Sequence, residues 1–307
     1  GWCGTYSHRT GLRLRQYWHL EDKEHTDSQQ ETIETVRRLV IDAIERQLVS
    51  DVPLCTFLSG GLDSSIISAV AAQQYAREGK QLETVSVTYR DNAKYFQASH
   101  FQPNSDDSYI GKMNDAIGAN NHLIVIDTPQ LVRALFEAVE ARDLPGMADV
   151  DASLLLFCRE IKKIGTVALS GECADEIFGG YPWYRDADIR RKAGFPWAQS
   201  TQYRASFLTQ EWQQQIDAEA FVDQKYRQTI TQVLPNGVRG KDDRRIREMT
   251  RLNFAWFMQT LLMRKDSMSM FSGLEVRVPF CDHRIAEYLY NVPWSMKDLQ
   301  GREKGLL

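Results

Sequence analysis

The segment SGGLDSS at residues 59–65 follows a short apolar run, LCTFL at 54–58, and leads directly into a helical pattern. Gly60 and Gly61 allow the backbone to approach a ligand closely and to adopt positive φ angles. Amide N–H groups at a helix start, reinforced by the helix dipole, form a site for an anion. Ser59, Ser64 and Ser65 add hydroxyl donors suited to phosphate oxygens. Asp63 is the odd member, because a carboxylate repels phosphate. It fits if Mg²⁺ bridges it to the phosphates, since hard cations take oxygen ligands of that kind. The segment lacks the lysine of the G-x-x-x-x-G-K-[ST] phosphate loop, so it is not that motif. The plainer alternative is a helix capped by serine or aspartate with no ligand.

SGECADEIFGGY at residues 170–181 repeats the arrangement: an apolar run, a Ser-Gly turn at Ser170 and Gly171, then carboxylates at Glu172, Asp175 and Glu176. A spacing of three places Glu172 and Asp175 on one face of a starting helix. Acidic side chains there can simply cap the helix. Three carboxylates between glycine turns, opposite a phosphate loop, fit a Mg²⁺ site better.

These segments need a frame that brings them together. Apolar runs at 54–58, 83–89, 121–127 and 166–170 read as strands, and patterns at 63–79, 107–118, 129–141 and 153–163 read as the helices between them. Such alternation implies a parallel sheet covered on both faces, with right-handed crossovers. Ligands of open sheets of this kind sit beyond the carboxyl ends of the strands, which is where both chemical segments fall. A helix from Glu31 presents Ile33, Val36, Val40, Ile44 and Leu48 on one face and stops at Asp51-Val52-Pro53. The first 28 residues are polar and rich in turns, and read as a leader or linker followed by a helix. After Tyr184 the strand signal disappears, and the rest reads as helical, above all 245–263.

Composition narrows the function classes. The 307 residues are 43% hydrophobic and 25% charged, as in an ordinary globular protein, and the net charge of -4 argues against a nucleic-acid backbone as main partner. The five cysteines (3, 55, 158, 173 and 281) form no Cys-x-x-Cys pair and read as reduced thiols. No apolar run approaches the roughly 18 residues of a membrane span. The N-terminal residues are charged and turn-forming in place of an apolar block, so a cytoplasmic protein is expected. His8, His19 and His25 crowd the polar leader, and His100, His122 and His283 stand singly, so no hydrolase constellation emerges.

SGGLDSS resembles the pyrophosphate loop of the ATP pyrophosphatase superfamily. SGECADEIFGGY, the later LLMRKDSMSMFSGLEVRVPFCDHR (residues 261–284) and the final REKGLL (302–307) resemble the synthetase domain of glutamine-hydrolysing asparagine synthetases. The match runs from about Leu12 onward, with the blocks in the family's order. The resemblance implies the adenine nucleotide α-hydrolase-like α/β fold, a parallel sheet with helices on both faces followed by a mostly helical part. It implies a division into a linker at 1–28, from a glutaminase domain absent here, and a C-terminally incomplete synthetase domain at 29–307.

Residue by residue, the resemblance implies that Ser59, Gly60, Gly61, Asp63, Ser64 and Ser65 bind the departing pyrophosphate of ATP, and that Asp63 and Asp175 hold Mg²⁺. Leu58, Val87 and Gly171 would line the adenine and ribose site, with Ser170 beside them in the nucleotide-binding set. Glu172 would receive the incoming ammonia as base or orienting group, and Lys304 would stabilise the α-phosphate charge. Arg277 and Asp282 would shape the aspartate pocket. The implied reaction joins ammonia to L-aspartate through β-aspartyl-AMP, with glutamine hydrolysis as the ammonia source, no nucleic-acid or membrane partner, and a homodimer as one possible assembly. Two other readings remain open: an adenylating synthetase with an intramolecular amine, as in β-lactam synthetases and peptide cyclases, and a non-catalytic ATP-binding module. Cys173 and Cys281 depart from the glycine and leucine usual in the family, and Cys3 has no catalytic-cysteine context.

Overall fold

The structure is a computed structural model that describes residues 1–97, 107–231 and 240–307, so His100 lies outside the described residues. The described residues hold seven strands: β1 (Trp2–Ser7), β2 (Gly11–Gln16), β3 (Leu54–Phe57), β4 (Glu83–Tyr89), β5 (Asn120–Ile126), β6 (Val167–Leu169) and β7 (Glu275–Arg277). The last five form a parallel sheet in the order β5-β4-β3-β6-β7. Chain order therefore reverses between β3 and β6, and the loops after these two strands flank the switch point where such sheets bind ligands.

The helices between strands follow the sequence pattern closely. They are α1 (Gln29–Gln47), α2 (Leu62–Arg77), the single turn α3 (Asn92–Tyr95), α4 (Asp107–Ile117), α5 (Thr128–Arg142) and α6 (Asp149–Lys162). Ser28 and Glu31 close a capping box on α1, and Asp127 with Gln130 does the same for α5. Then come α7 (Ala174–Phe178), the short helices α8 (Ala187–Arg191), α9 (Thr201–Ala205) and α10 (Gln210–Gln215), and α11 (Ala218–Ile230). Helix α12 (Lys241–Leu252) passes through a π-helical turn at Asn253–Phe257 into α13 (Met258–Phe271), and α14 (His283–Asn291) and α15 (Trp294–Lys297) follow β7. Among the described residues no helix is long and apolar enough to cross a membrane.

Alternation along the strands builds two cores. Leu54, Val167 and Leu169 pack with Val36, Ile44, Ile67, Phe178 and Phe280 on the face covered by α1, α2, α7 and α14. Cys55, Phe57, Val85 and Ala168 point the other way, against Phe157, Cys158 and Ile161 of α6. The central strands β3 and β6 are thus buried on both faces, while the edge strand β5 leaves Leu123 and Val125 exposed. Thr56 is buried between them and satisfied by Ser68 of α2 at 2.7 Å.

Two elements differ from the sequence reading. Residues 2–16 form an antiparallel hairpin, turned at Gly11 (φ +64°) and tied by the Ser7 and Thr10 hydroxyls 2.6 Å apart. Its strands are exposed throughout, so no buried face marks them in the sequence. Strand β7 has no sequence signal because EVR, unlike the equally short VAL of β6, holds one apolar residue between two charged ones; its place is fixed by pairing with β6.

Phe280 couples sheet, β7 turn and α7: it is fully buried and meets Phe178 edge-on at 6.1 Å. Phe280→Ala is expected to lower the unfolding free energy by about 3–5 kcal/mol, measured as the midpoint shift in urea; a loss below about 1 kcal/mol would contradict this packing.

Candidate active site

After β3 the chain makes the turn Leu58, Ser59, Gly60 and Gly61 before α2 begins. Gly60 has φ +83°, which a side chain would oppose, and Gly61 serves as N-cap with no side chain capping the helix. The first amides of α2 therefore have no side-chain acceptor at their N-cap. Ser59 and Ser64 hydroxyls lie 3.0 Å apart, and Ser64 Oγ donates to the Gly61 carbonyl at 3.1 Å, which pulls the turn tight. Ser65 opens the helical ladder by donating its amide to the same carbonyl.

The loop after β6 lies directly against this turn. A Cβ on Gly171 would sit 3.0 Å from Asp63 Cβ and 3.1 Å from the Ser64 nitrogen, so a side chain there would press the start of α2 away from the loop. Ser170, buried, donates its amide to the Arg277 carbonyl, which anchors the loop to β7. Gly180 plays the same part for Asp175, whose Oδ1 lies 1.9 Å from where a Gly180 Cβ would be.

Lys304 joins the two loops. Its Nζ donates to Asp63 Oδ2 at 2.7 Å and lies 2.9 Å from Asp175 Oδ1. Burial pushes the Asp63 carboxyl up to about 6, Lys304 pulls against that, and Asp175 adds to it. Burial also works against the charge on Lys304, but Asp63 and Asp175 outweigh it and hold the ammonium protonated. The other Asp63 oxygen, Oδ1, is buried with no hydrogen-bond partner.

Beside this bridge a cavity of about 240 Å³ opens at the carboxyl ends of β3 and β4, lined by Leu58, Ser59, Val87, Tyr89, Ile110 and Phe157 among others. Leu58 and Val87 are thus brought together, with Ser59 at the edge nearest the turn. Gly171 is not on this wall and faces Asp63 and Ser64.

Glu172 points elsewhere. Arg264 Nη2 donates to its Oε1 at 2.9 Å, and Lys265 Nζ lies 2.9 Å from its Oε2. Both cations come from α13 and were not singled out in the sequence, although they stand inside the block at 261–284. Adjacent basic residues in a largely apolar helix were the available signal.

Arg277 and Asp282 are not brought to the site. The Arg277 guanidinium donates to the Gln47 and Val49 carbonyls, both at 2.7 Å, at the C-terminal end of α1. The Asp282 carboxylate caps α14 and accepts from Arg284, which also binds Asp42. Their side chains fasten α1 and α14 in this structure.

Among the described residues no group of three or more His, Cys, Asp and Glu side chains is set to hold a metal. Mg²⁺ asks for less, because it binds through one or two carboxylates together with waters and phosphates. Asp63 with its orphaned oxygen, and Asp175, already draw one cation between them, so the donor set fits such an ion.

Three comparisons place the chain among known proteins. The family model for asparagine synthase matches residues 35–307. Asparagine synthetase [glutamine-hydrolyzing] 3 of Bacillus subtilis is 54% identical over 305 residues, covering 99% of this chain and 49% of that protein. Asparagine synthetase [glutamine-hydrolyzing] 1 of the same organism is 26% identical, covering 96% and 49%. A crystal structure of NAD+ synthetase from Burkholderia pseudomallei matches with 14% identity and a TM-score of 0.29, covering 50% of this chain and 67% of that one. The chain spans about half the length of the curated relatives it matches.

Glu176, 2% exposed, accepts a hydrogen bond from the Tyr181 hydroxyl at 2.5 Å, and burial pushes its carboxyl up to about 7 from an ordinary 4.5. Because the folded value is raised, the stability it contributes is fully present below about pH 4.5 and is lost as pH rises through about 7. Glu176→Gln keeps an acceptor for Tyr181 and removes the titration. The wild-type-minus-variant stability difference is expected to fall by about 2–3 kcal/mol between pH 4.5 and 8, as followed by chemical denaturation. A difference that stays flat with pH would mean Glu176 titrates normally.

Proposed function

Because the chain belongs to the asparagine synthase family, we propose that it carries out the ATP-dependent amidation of L-aspartate to L-asparagine, with ammonia supplied by glutamine hydrolysis outside residues 1–307. The observation that carries this reading is the Lys304 bridge between Asp63 and Asp175, set at the switch point of a parallel sheet beside an uncapped helix start.

In this reading the adenine and ribose enter the cavity walled by Leu58 and Val87, and Ser170 and Gly171 border the nucleotide. The β and γ phosphates lie on the amides of residues 60–65, with the Ser59, Ser64 and Ser65 hydroxyls as further donors. Asp63 and Asp175 would hold Mg²⁺, which when bound neutralises the polyphosphate and eases departure of pyrophosphate. The β-carboxylate of aspartate attacks the α-phosphorus, the bond to the β-phosphate oxygen breaks, and β-aspartyl-AMP forms. Lys304, tethered at the mouth of the turn, offsets the charge that grows on the α-phosphate. Ammonia then adds to the acyl carbon, and AMP leaves with its bonding electrons. Glu172 accepts a hydrogen bond from the incoming amine and can take its surplus proton. No side-chain nucleophile is needed; the protein contributes position and charge.

The test is pyrophosphate release from MgATP by the full-length protein, with L-aspartate and ammonium each added or withheld, in wild type and Asp63→Asn. Release should require aspartate, give asparagine when ammonium is present, and fall by about 100-fold or more in the variant. Release that proceeds without aspartate, or an unimpaired variant, would refute the assignment.

A further inference from the structure

The cluster around Glu172 is unbalanced. Arg264 and Lys265 face one carboxylate, so the three side chains together carry one net positive charge, and each is only 11–13% exposed. Among the described residues no second carboxylate pairs with either cation. An uncompensated charge is costly to bury, and native proteins supply a counter-ion or a ligand for it.

The excess belongs to Arg264. Lys265 has its ammonium against Glu172 Oε2 and lies 4.9 Å from the centre of the Phe57 ring, so both its charge and its stem are accommodated. Arg264 spends one nitrogen on Glu172. Its Nη1 has only the Met147 sulfur at 3.6 Å, a weak acceptor, and its Nε is buried with no hydrogen-bond partner. Nη1 and the second hydrogen of Nη2 share the outer edge of the guanidinium, and a planar carboxylate set against that edge accepts two parallel hydrogen bonds from them. The phosphates of a nucleotide have a separate place, the start of α2 with Lys304.

Resting on the function proposed above, we propose that Arg264 anchors the α-carboxylate of the amino-acid substrate, the carboxylate that is not adenylated. Glu172 then has a double use. It holds the Arg264 fork in orientation from one side, and it stands next to the substrate that the fork grips. The substrate class follows: an α-amino acid with a free α-carboxylate and a second carboxylate in its side chain. A substrate whose α-carboxylate is masked as an amide loses the charge-assisted pair and is discriminated against.

The experiment measures KM and kcat for pyrophosphate release by the full-length protein with ammonium as nitrogen source, for wild type, Arg264→Met and Arg264→Lys. L-aspartate is compared with its α-amide, L-isoasparagine. Arg264→Met should raise the KM for aspartate about 30–100-fold while leaving the KM for ATP within about twofold. Wild type should prefer aspartate over isoasparagine, and that preference should collapse in Arg264→Met. Arg264→Lys, which keeps the charge without the fork, should recover part of the aspartate affinity and serves as the folded control. An unchanged KM for aspartate overturns the proposal, as does a preference over isoasparagine that survives in Arg264→Met. A KM for ATP that rises in step would assign Arg264 to a phosphate and overturn it as well. A wild type that releases pyrophosphate without need of aspartate would remove the functional reading itself, a result separate from any of these.

Discussion

One ammonium group ties the molecule's chemistry to its fold. Lys304 sits between carboxylates that come from two different loops, Asp63 after β3 and Asp175 after β6. Without a cation there, two carboxylates in a largely buried place would repel, and the two loops would be driven apart at the point where the sheet reverses its order. The lysine is delivered from far along the chain by a turn whose own anchoring is apolar and backbone-based. Leu306 enters the core, and the Gly305 amide donates to the Lys297 carbonyl. Gly305 is required because a Cβ would lie 2.8 Å from the Leu299 backbone. Sheet, loops and C-terminal helices are thus joined through a charge arrangement that a cation-bearing polyphosphate can also satisfy.

Around that bridge the charges are sorted. Asp63, Asp175 and Lys304 sum to one negative charge, and Glu172, Arg264 and Lys265 sum to one positive charge. The sorting follows from topology. The two carboxylates of the first set come from the loops after β3 and β6 and its lysine from the C-terminal turn, whereas the two cations of the second come from α13, which packs beside α6 and β7, and its Glu172 from the loop after β6. Glu172 and Asp175 are three residues apart, yet they serve opposite clusters because Cys173 turns the chain with φ +76° before α7 begins. The spacing argument that put both on one helix face fails here, since Glu172 precedes the helix and lies outside it.

Much of the frame was legible, and the reasons can be named. Strands β3 and β6 were readable because burial on both faces demands continuous apolar runs, which LCTF and VAL supply, and β4 and β5 through their β-branched content. Helices α1 and α5 announced themselves through periodicity and through the capping pairs Ser28/Glu31 and Asp127/Gln130. The two glycine turns were readable because close backbone approach leaves glycine as the residue that fits. What escaped was long-range or short. β7 sets one apolar residue between two charged ones, and the strands of the hairpin are exposed. Arg277 was assigned to a pocket through the resemblance of its block, and in the structure its donors close the carbonyls at the end of α1. Nothing local in the sequence tells these uses apart. Arg264 and Lys265 lay in plain view, but their meaning depends on Glu172, more than ninety positions earlier.

The site also rests on backbone that ordinary residues avoid. Cys173 at φ +76° and Lys304 at φ +51° lie in the left-handed region, where a side chain costs roughly 1 kcal/mol or more. Such strain persists only where the surroundings hold it. For Cys173 the restraint is core packing, since the residue is 1% exposed and clusters with Ile177, Phe178 and Phe280. For Lys304 it is the ion pairs themselves, joined by the Leu307 amide donating to the Lys304 carbonyl. The two cases differ in consequence. Packing at Cys173 is indifferent to ligand, so the Glu172 and Asp175 loop is preset before anything binds. The hold on Lys304 is electrostatic and depends on Asp63 and Asp175. An incoming metal ion would compete for those carboxylates, and a phosphate for the lysine itself. The lysine turn is therefore the part of the site whose restraint a ligand can exchange for contacts of its own, while the sheet loops keep the shape the core gives them.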